Sequence, residues 1–421
     1  MMIKELKLYS QYIIKHNFLL KKKIKQIEEY YKSSNNLHLK NDKFIRLIHS
    51  TFDNNKFYKN FYSEHGIEKS DIKTIDDISK LPVINKQTII ENSNLIKQGM
   101  YLFSNKGYTS GTTGTPLTVY RNYDSILTEN AYVWWFRLKS GLELKDKKIS
   151  IRGDLNRNSL YSFDKVSNTL YISSFALNDK NIKKIIAVIK DFKPKAALGY
   201  PSSLYTIASW LVENNQELDI PLSFTSSESL LAFQEEKIKL AFNTKMYDWY
   251  GNAERTISLY REEGKYYEPF LYSINEYTQS NVITTSLIND YFPLIRYEVN
   301  DKIIASEDFN IEKKSFVVNS IEGRVEDYVV LLDGSKIGRL DVVFKGVKNI
   351  KFAQIIQEEK FSVIVKIVKG TNFSTRDEAK LINNLVMKLG QDFKVHIQYI
   401  NKEDLEITSS GKFKLVISKL K

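Results

Sequence analysis

Apolar and polar positions follow three different rhythms along this chain. The first 34 residues set Ile13, Ile14, Phe18, Leu19, Leu20 and Ile24 on one stripe, with Lys15, Lys21, Lys22 and Lys23 beside it. Apolar residues at this spacing predict a basic amphipathic helix. Asp124 to Lys139 reads as a second helix, carrying Trp134, Trp135 and Phe136, and Lys180 to Lys190 as a third. Short apolar runs predict strands at Thr118 to Tyr120, Ile149 to Gly153 and Ala196 to Leu198. The last run closes on Gly199, Tyr200, Pro201 and Ser202, where a helix is expected to start. Strand, turn and helix in repetition is the unit of a parallel α/β sheet, whose ligands sit at the C-terminal ends of the strands.

From residue 327 the pattern becomes that of a smaller α+β unit. Val329–Leu332, Val342–Phe344, Phe361–Val368 and Val395–Ile400 are strand-like, and Arg376 to Leu389 carries Leu381, Ile382, Leu385, Val386 and Leu389 at helical spacing. A chain of 421 residues exceeds one typical core, so two or more domains are expected. No repeat, low-complexity tract or Pro/Gly-rich linker separates them.

Composition narrows the classes. No apolar run reaches the 18 residues of a membrane-spanning helix. The opening lacks the apolar core and cleavage site of a secretory signal, so a cytoplasmic location is expected. The chain has no Cys, which excludes disulfides, thiol catalysis and Cys-ligated metals. Its five His are scattered, which argues against a zinc cluster. The 62 Lys+Arg against 50 Asp+Glu leave +12, a surface that attracts anions. No nucleic-acid motif or Arg-dense block accompanies that charge, so no nucleic-acid partner is expected. For residues 1–34, packing of the helix on its own domain is favoured over weak peripheral contact with an anionic membrane.

The chemistry concentrates at Tyr108, Thr109, Ser110, Gly111, Thr112, Thr113, Gly114, Thr115 and Pro116. Glycines let backbone approach a ligand, consecutive N–H groups form an anion nest, and hydroxyls add rotatable donors. The Gly-x4-Gly-Lys-Ser/Thr spacing of a P-loop is absent, and Leu117 follows the Pro. From these residues alone, a polyphosphate cradle and an ordinary Gly/Thr turn are equally open. Four more segments stand out: Tyr250-Gly251-Asn252-Ala253-Glu254; Pro293-Leu294-Ile295-Arg296-Tyr297 running to Asn300-Asp301; Gly323-Arg324-Val325-Glu326-Asp327; and Ser410-Gly411-Lys412.

Together these five segments resemble the adenylate-forming superfamily of acyl-CoA synthetases, adenylation domains and luciferases. The nearest likeness is to the branch with phenylacetate–CoA ligase and the CapK-type proteins of polysaccharide gene clusters. The resemblance spans nearly the whole chain. It implies a large N-terminal α/β adenylation domain with parallel-sheet units over residues 1–325. A small mobile α+β lid would follow over residues 326–421, pivoting at Glu326.

It also implies roles for residues. Thr109, Ser110, Gly111, Thr112, Thr113 and Gly114 would cradle ATP phosphates. Ser226, Ser227 and Glu228 would lie against the adenine; the plainer reading makes Ser227 or Ser229 a helix N-cap with Glu228 in the first turn. Tyr250, Gly251 and Asn252 would hold the adenine, and Glu254 would bind Mg2+, a hard cation suited to carboxylate. Asp301 would accept both ribose hydroxyls, and Arg324 would meet ribose or phosphate. Lys412 would be catalytic, bridging the attacking carboxylate and the α-phosphate. Tyr132 and Trp135 would border the acyl pocket, unless they are core. Arg152 would meet an anionic substrate, with a surface ion pair as the plainer reading. Gly199, Tyr200 and Pro201 would lie over the substrate carboxylate. Several positions depart from the pattern: Ala253 replaces Thr, Asn300 replaces Gly, Glu326 replaces Asp and Ile407 replaces Arg, while Leu117 stands where the wider superfamily has Lys.

The implied activity is that of an AMP-forming ligase: ATP-dependent activation of a small carboxylic acid as an acyl-adenylate, then acyl transfer. CoA, a sugar amine or hydroxyl, and a carrier are the candidate acceptors. A non-catalytic nucleotide-binding module is the reading from another class, disfavoured by joint retention of Glu254, Asp301, Arg324 and Lys412.

Overall fold

A computed structural model of the chain describes residues 18–34, 36–99, 104–108, 117–152, 159–279, 281–299, 301–324, 328–331, 336–337, 340–344, 347, 349–407 and 413–420. The Cα positions cluster into two units: residues 1–144 with 249–320, and residues 145–248 with 321–421.

In the first unit, the Phe18–Lys32 helix buries Leu20, Ile24 and Ile27. Tyr31 at its end stacks on Trp135 at 4.6 Å between ring centroids. The stripe therefore packs on its own unit; Phe18 and Leu19 are exposed, and Ile13 and Ile14 lie outside the described residues. No helix among the described residues is long and apolar enough to cross a membrane.

The core of this unit gathers Phe44, Ile48, Tyr58, Tyr62, Leu81, Ile84, Phe292, Ile295 and Tyr297. Two sequence features build it. Asn55 caps the Lys56–Glu64 helix by accepting from Tyr58 N, and its amide also donates to Ile96 O at 2.7 Å. Tyr58 then puts its hydroxyl into the Pro293–Ile295 backbone, donating to Pro293 O at 3.0 Å and accepting from Ile295 N at 3.1 Å. The Leu81-Pro82 turn ends the Ile75–Lys80 3-10 helix and brings Ile84 beside Tyr297 in a parallel bridge. Arg296 locks that turn: it pairs with Glu276 at 2.8 Å and donates to Ser79 O and Leu81 O. Beside it, strands Ser273–Tyr277, Val282–Ser286 and Tyr297–Val299 form an antiparallel sheet.

The second unit holds the parallel sheet expected from the repeating strand–turn–helix pattern. Its order is Leu222–Ser226, Ala196–Gly199, Lys148–Arg152, Thr169–Ser173, with Tyr161–Asp164 antiparallel at the edge. The helices Ile182–Phe192, Pro201–Glu213 and Ala232–Phe242 contribute Ile185, Ile186, Leu204, Ile207, Ile238 and Phe242 to its core.

The same unit carries a four-stranded sheet in the order Lys394–Tyr399, Ser362–Lys369, Ile350–Glu359, Val416–Ser418. The Thr375–Leu389 helix buries Leu381, Leu385 and Leu389 and opens with a Ser374–Asp377 capping box. Two expectations change here. Val342–Phe344 is not a strand but part of the Leu340–Phe344 3-10 helix, because buried Leu340 and Val343 are three apart and share one side of a three-residue turn. Ile350–Glu359 is a strand that the apolar pattern did not announce. Its polar Gln354 and Gln357 are fully buried, and each amide is satisfied by backbone: Gln354 donates to Glu406 O and Lys414 O at 2.9 Å, and Gln357 donates to Val330 O at 2.9 Å. Buried polar groups partnered in this way cost little.

Candidate active site

Strands Ser104–Tyr108 and Thr118–Asn122 pair antiparallel, with Tyr108 opposite Thr118 and Gly107 opposite Val119. They hold the mouth of the Ser/Thr/Gly loop. The candidates Thr109, Ser110, Gly111, Thr112, Thr113 and Gly114 themselves lie outside the described residues. Leu117, at the exit, is fully buried. Arg121, further along the exit strand, lies over Gly107: a Cβ on that glycine would overlap the guanidinium. Arg121 Nη2 donates to Ala253 O, tying the exit strand to the Tyr250–Glu254 segment.

That segment begins in the strand Lys245–Gly251. Gly251 admits Ser258 Oγ to 3.0 Å from where a Cβ would stand. Asn252 shapes the turn, its Oδ1 accepting from Thr256 N at 2.9 Å and its Nδ2 donating to Thr256 Oγ1 at 2.7 Å. Arg255 takes a left-handed backbone, φ 58°. Two motif positions then meet: the Tyr250 hydroxyl donates to the buried Asp301 carboxylate. Glu254 Oε1 accepts from Tyr297 OH at 3.1 Å, so two motifs also meet there.

Burial, and next the neighbouring charge of Arg255, pull the Arg121 pKa down to about 10, while Glu129 and Glu254 oppose the shift. Glu129 accepts from the Tyr272 hydroxyl. No cluster of three or more acidic or His side chains that could hold a metal exists among the described residues. A carboxylate such as Glu254 fits a Mg2+ whose other ligands are phosphate oxygens and water.

In the second unit, Gly199 packs 3.3 Å from Ile151 and Leu204 measured at its would-be Cβ, so a side chain there would require these neighbours to give. Tyr200 is the N-cap and Pro201 the first residue of the Pro201–Glu213 helix. The expectation that Ser227 or Ser229 caps a helix with Glu228 in its first turn is corrected: that helix starts at Ala232 with Leu231 as N-cap. Ser227, at φ 70°, instead turns the chain. The Glu228 carboxylate accepts from Ser202 N and Ser202 Oγ, both at 3.1 Å, and from Phe413 N at 2.8 Å. Ser226 is half-buried at the end of its strand, and Arg152 is exposed at the end of the strand Lys148–Arg152.

Tyr132 and Trp135 sit in packing positions. Tyr132 is 1% exposed and donates to Phe270 O at 2.8 Å, and Trp135 is stacked on Tyr31 and edge-on to Tyr260. Arg324 ends the strand Ser315–Arg324 with its side chain outside the description, and Glu326 and Lys412 also lie outside the described residues. Arg121 and Arg255 escaped the sequence reading, because neither lies in a motif position.

In the second unit a cavity of about 200 Å³ is lined by Ser174, Leu177, Ser202, Thr206, Phe352 and Lys402, among others. The Lys402 ammonium donates to Leu177 O, and burial pulls its pKa down to about 8.

Known proteins place this geometry. Residues 330–419 match the CapK C-terminal domain family. Over 412 residues the chain is 23% identical to Protein CapK of Staphylococcus aureus, covering 91% of this chain and 89% of that protein. A 2-hydroxyisobutyryl-CoA ligase, solved in the postadenylation state in complex with R3-HIB-AMP, matches with TM-score 0.70 at 14% identity, over 90% of this chain and 88% of its own. An anthranilate CoA ligase in complex with anthranoyl-AMP matches with TM-score 0.53 at 14% identity, over 73% of this chain and 65% of its own. The chain thus matches the CapK C-terminal domain family over residues 330–419, resembles Protein CapK over most of its length, and shares the fold of these two ligases.

Proposed function

We propose that this protein joins a small carboxylic acid to ATP as an acyl-adenylate, releases pyrophosphate, and passes the acyl group to an acceptor. One observation carries the reading: Tyr250 and Asp301, far apart in the chain and each in a separate motif, share a hydrogen bond, with Glu254 nearby on Tyr297. An aromatic ring, a ribose-binding carboxylate and a metal-binding carboxylate on one scaffold match an adenine nucleotide from base to phosphate.

In this reading Asp301 accepts from the ribose hydroxyls and fixes the sugar. Mg2+, when bound at Glu254, would neutralise phosphate charge that otherwise repels the incoming carboxylate. Lys412 would neutralise part of the same repulsion. The substrate carboxylate oxygen attacks the α-phosphorus, the bond to the bridging oxygen breaks, and pyrophosphate leaves. The boundary near Glu326 would let residues 326–421 swing Lys412 away for the transfer step.

The solved structures with this fold include two named as CoA ligases, which favours CoA as acceptor. A sugar amine or hydroxyl, or a carrier, in surface polysaccharide synthesis is the alternative acceptor that the motif resemblance implies. ATP–pyrophosphate exchange across a panel of carboxylic acids tests the first half-reaction, and acceptors offered one at a time test the second. Exchange with no acid in a broad panel would reject adenylation. A thioester formed on adding CoA decides for the ligase, and an amide or ester formed on adding an amino sugar decides against it.

A further inference from the structure

We infer that Arg121 and Arg255 form the cationic floor of a subsite for the outer phosphates of the nucleotide, and for the pyrophosphate they become. This inference rests on the adenylation reading and adds residues that the motifs do not contain.

The hydroxyl-rich loop supplies neutral donors, and where a lysine could follow Pro116 there is Leu117, fully buried. A polyphosphate with its metal still carries negative charge, and backbone N–H groups alone leave part of it unmatched. Arg121 answers this from the exit strand. Gly107 lies opposite Val119, so Arg121, two residues beyond Val119, is its diagonal neighbour on the same hairpin face. The bare glycine lets the guanidinium lie across the strand at Gly107, where any side chain would stand in its way. The bond to Ala253 O fixes the guanidinium there. Arg255 follows Glu254 directly and is close enough for its charge to act on Arg121.

Both arginines keep donors in reserve. Arg121 Nε and Arg255 Nη1 are buried and have no hydrogen-bond partner among the described residues. Two guanidinium groups whose charges act on each other, each with a buried N–H lacking a partner among the described residues, carry a desolvation cost that an anion would relieve. Glu129 and Glu254, which accept from Tyr272 and Tyr297, offset part of the charge repulsion. A planar, forked guanidinium pair suits phosphate oxygens. AMP lacks those outer phosphates, and this difference gives the test.

The experiment is calorimetry on the full chain with Mg2+, titrating inorganic pyrophosphate, ATP and AMP separately. The proteins are wild type, Arg121→Gln, Arg255→Gln, Arg121→Lys and Gly107→Ala, each checked for folding by circular dichroism. Pyrophosphate and ATP should bind ten- to a hundredfold more weakly to the two Gln variants, with AMP affinity within twofold of wild type. Arg121→Lys should recover part of the loss. Gly107→Ala keeps the charge but displaces the guanidinium, and should lose pyrophosphate affinity in the same direction. Unchanged pyrophosphate affinity in both Gln variants would overturn the inference and leave adenylation standing. Equal loss of AMP and pyrophosphate affinity would make these arginines structural, which also overturns it. Wild type binding neither ATP nor pyrophosphate would remove the inference together with the adenylation reading.

Discussion

The Glu228 carboxylate accepts a hydrogen bond from the backbone N–H of Phe413 at 2.8 Å. The same side chain takes Ser202 N and Ser202 Oγ at 3.1 Å, at the start of the Pro201–Glu213 helix, where a negative charge is favoured by the helix dipole. One carboxylate thus joins a helix N-terminus of the parallel-sheet region to the residue that follows Lys412 in the chain.

Glu228→Gln should loosen that join without emptying its space. A hydrogen bond to a charged acceptor is worth about 1.5–3 kcal/mol. Amide hydrogen exchange at Phe413 and Ser202 should accelerate accordingly, with the Thr375–Leu389 helix unaffected. Unchanged protection at Phe413 would mean that the bond contributes nothing in solution.

Asp301→Ala should weaken ATP and AMP binding alike, by about 1.5–3 kcal/mol, because the ribose hydroxyls lose a charged acceptor. Parallel loss for both nucleotides in calorimetry is the expected signature. Loss confined to ATP would move Asp301 from the ribose to the phosphates.

Tyr132→Phe and Trp135→Ala separate core from pocket. Tyr132→Phe leaves Phe270 O without its donor and should cost about 1 kcal/mol. Trp135→Ala removes a buried ring and should cost about 3–5 kcal/mol. Urea unfolding reads both. The KM for the acid should stay constant in Tyr132→Phe, and a large rise would return that ring to the substrate pocket.

The Lys402 ammonium is buried, with its pKa lowered from the ordinary 10.5 to about 8. Between those values the unfolded chain binds more protons than the folded one, so this group makes stability rise with pH there. Below pH 8 the folded state carries the full cost, on the order of 3 kcal/mol. Lys402→Met should abolish the rise. The stability difference between variant and wild type, followed in urea from pH 7 to pH 10, should shift in favour of wild type as pH increases. A flat difference would show that Lys402 keeps its ordinary pKa.

Lys412→Ala should slow adenylation by on the order of 10²–10³ through loss of a donor matched to the transition state. Transfer from pre-made acyl-adenylate should continue near the wild-type rate. Equal loss in both half-reactions, measured on one preparation, would remove the alternating role of residues 326–421.

Local order settled much of this protein in advance. The strand at Ala196–Gly199, the Pro-started helix after it and the Thr375–Leu389 helix were legible because period, cap and breaker act within a few residues. The motif residues were legible because each cluster is contiguous. The sequence could not decide between partners that meet only after folding. Glu228 looked like a first-turn residue of its own helix, and the left-handed Ser227 sends it to Ser202 and Phe413 instead. Ile350–Glu359 carries Gln354 and Gln357 at buried positions, and only the fold brings Val330, Glu406 and Lys414 to partner their amides. Arg121 had no motif, and acquires its place only because the strand opposite carries Gly107. Secondary structure and motif type are short-range consequences of side-chain chemistry, whereas the burial, pairing and desolvation that place a charge depend on neighbours outside that range, such as Gly107 for Arg121 and Phe413 for Glu228.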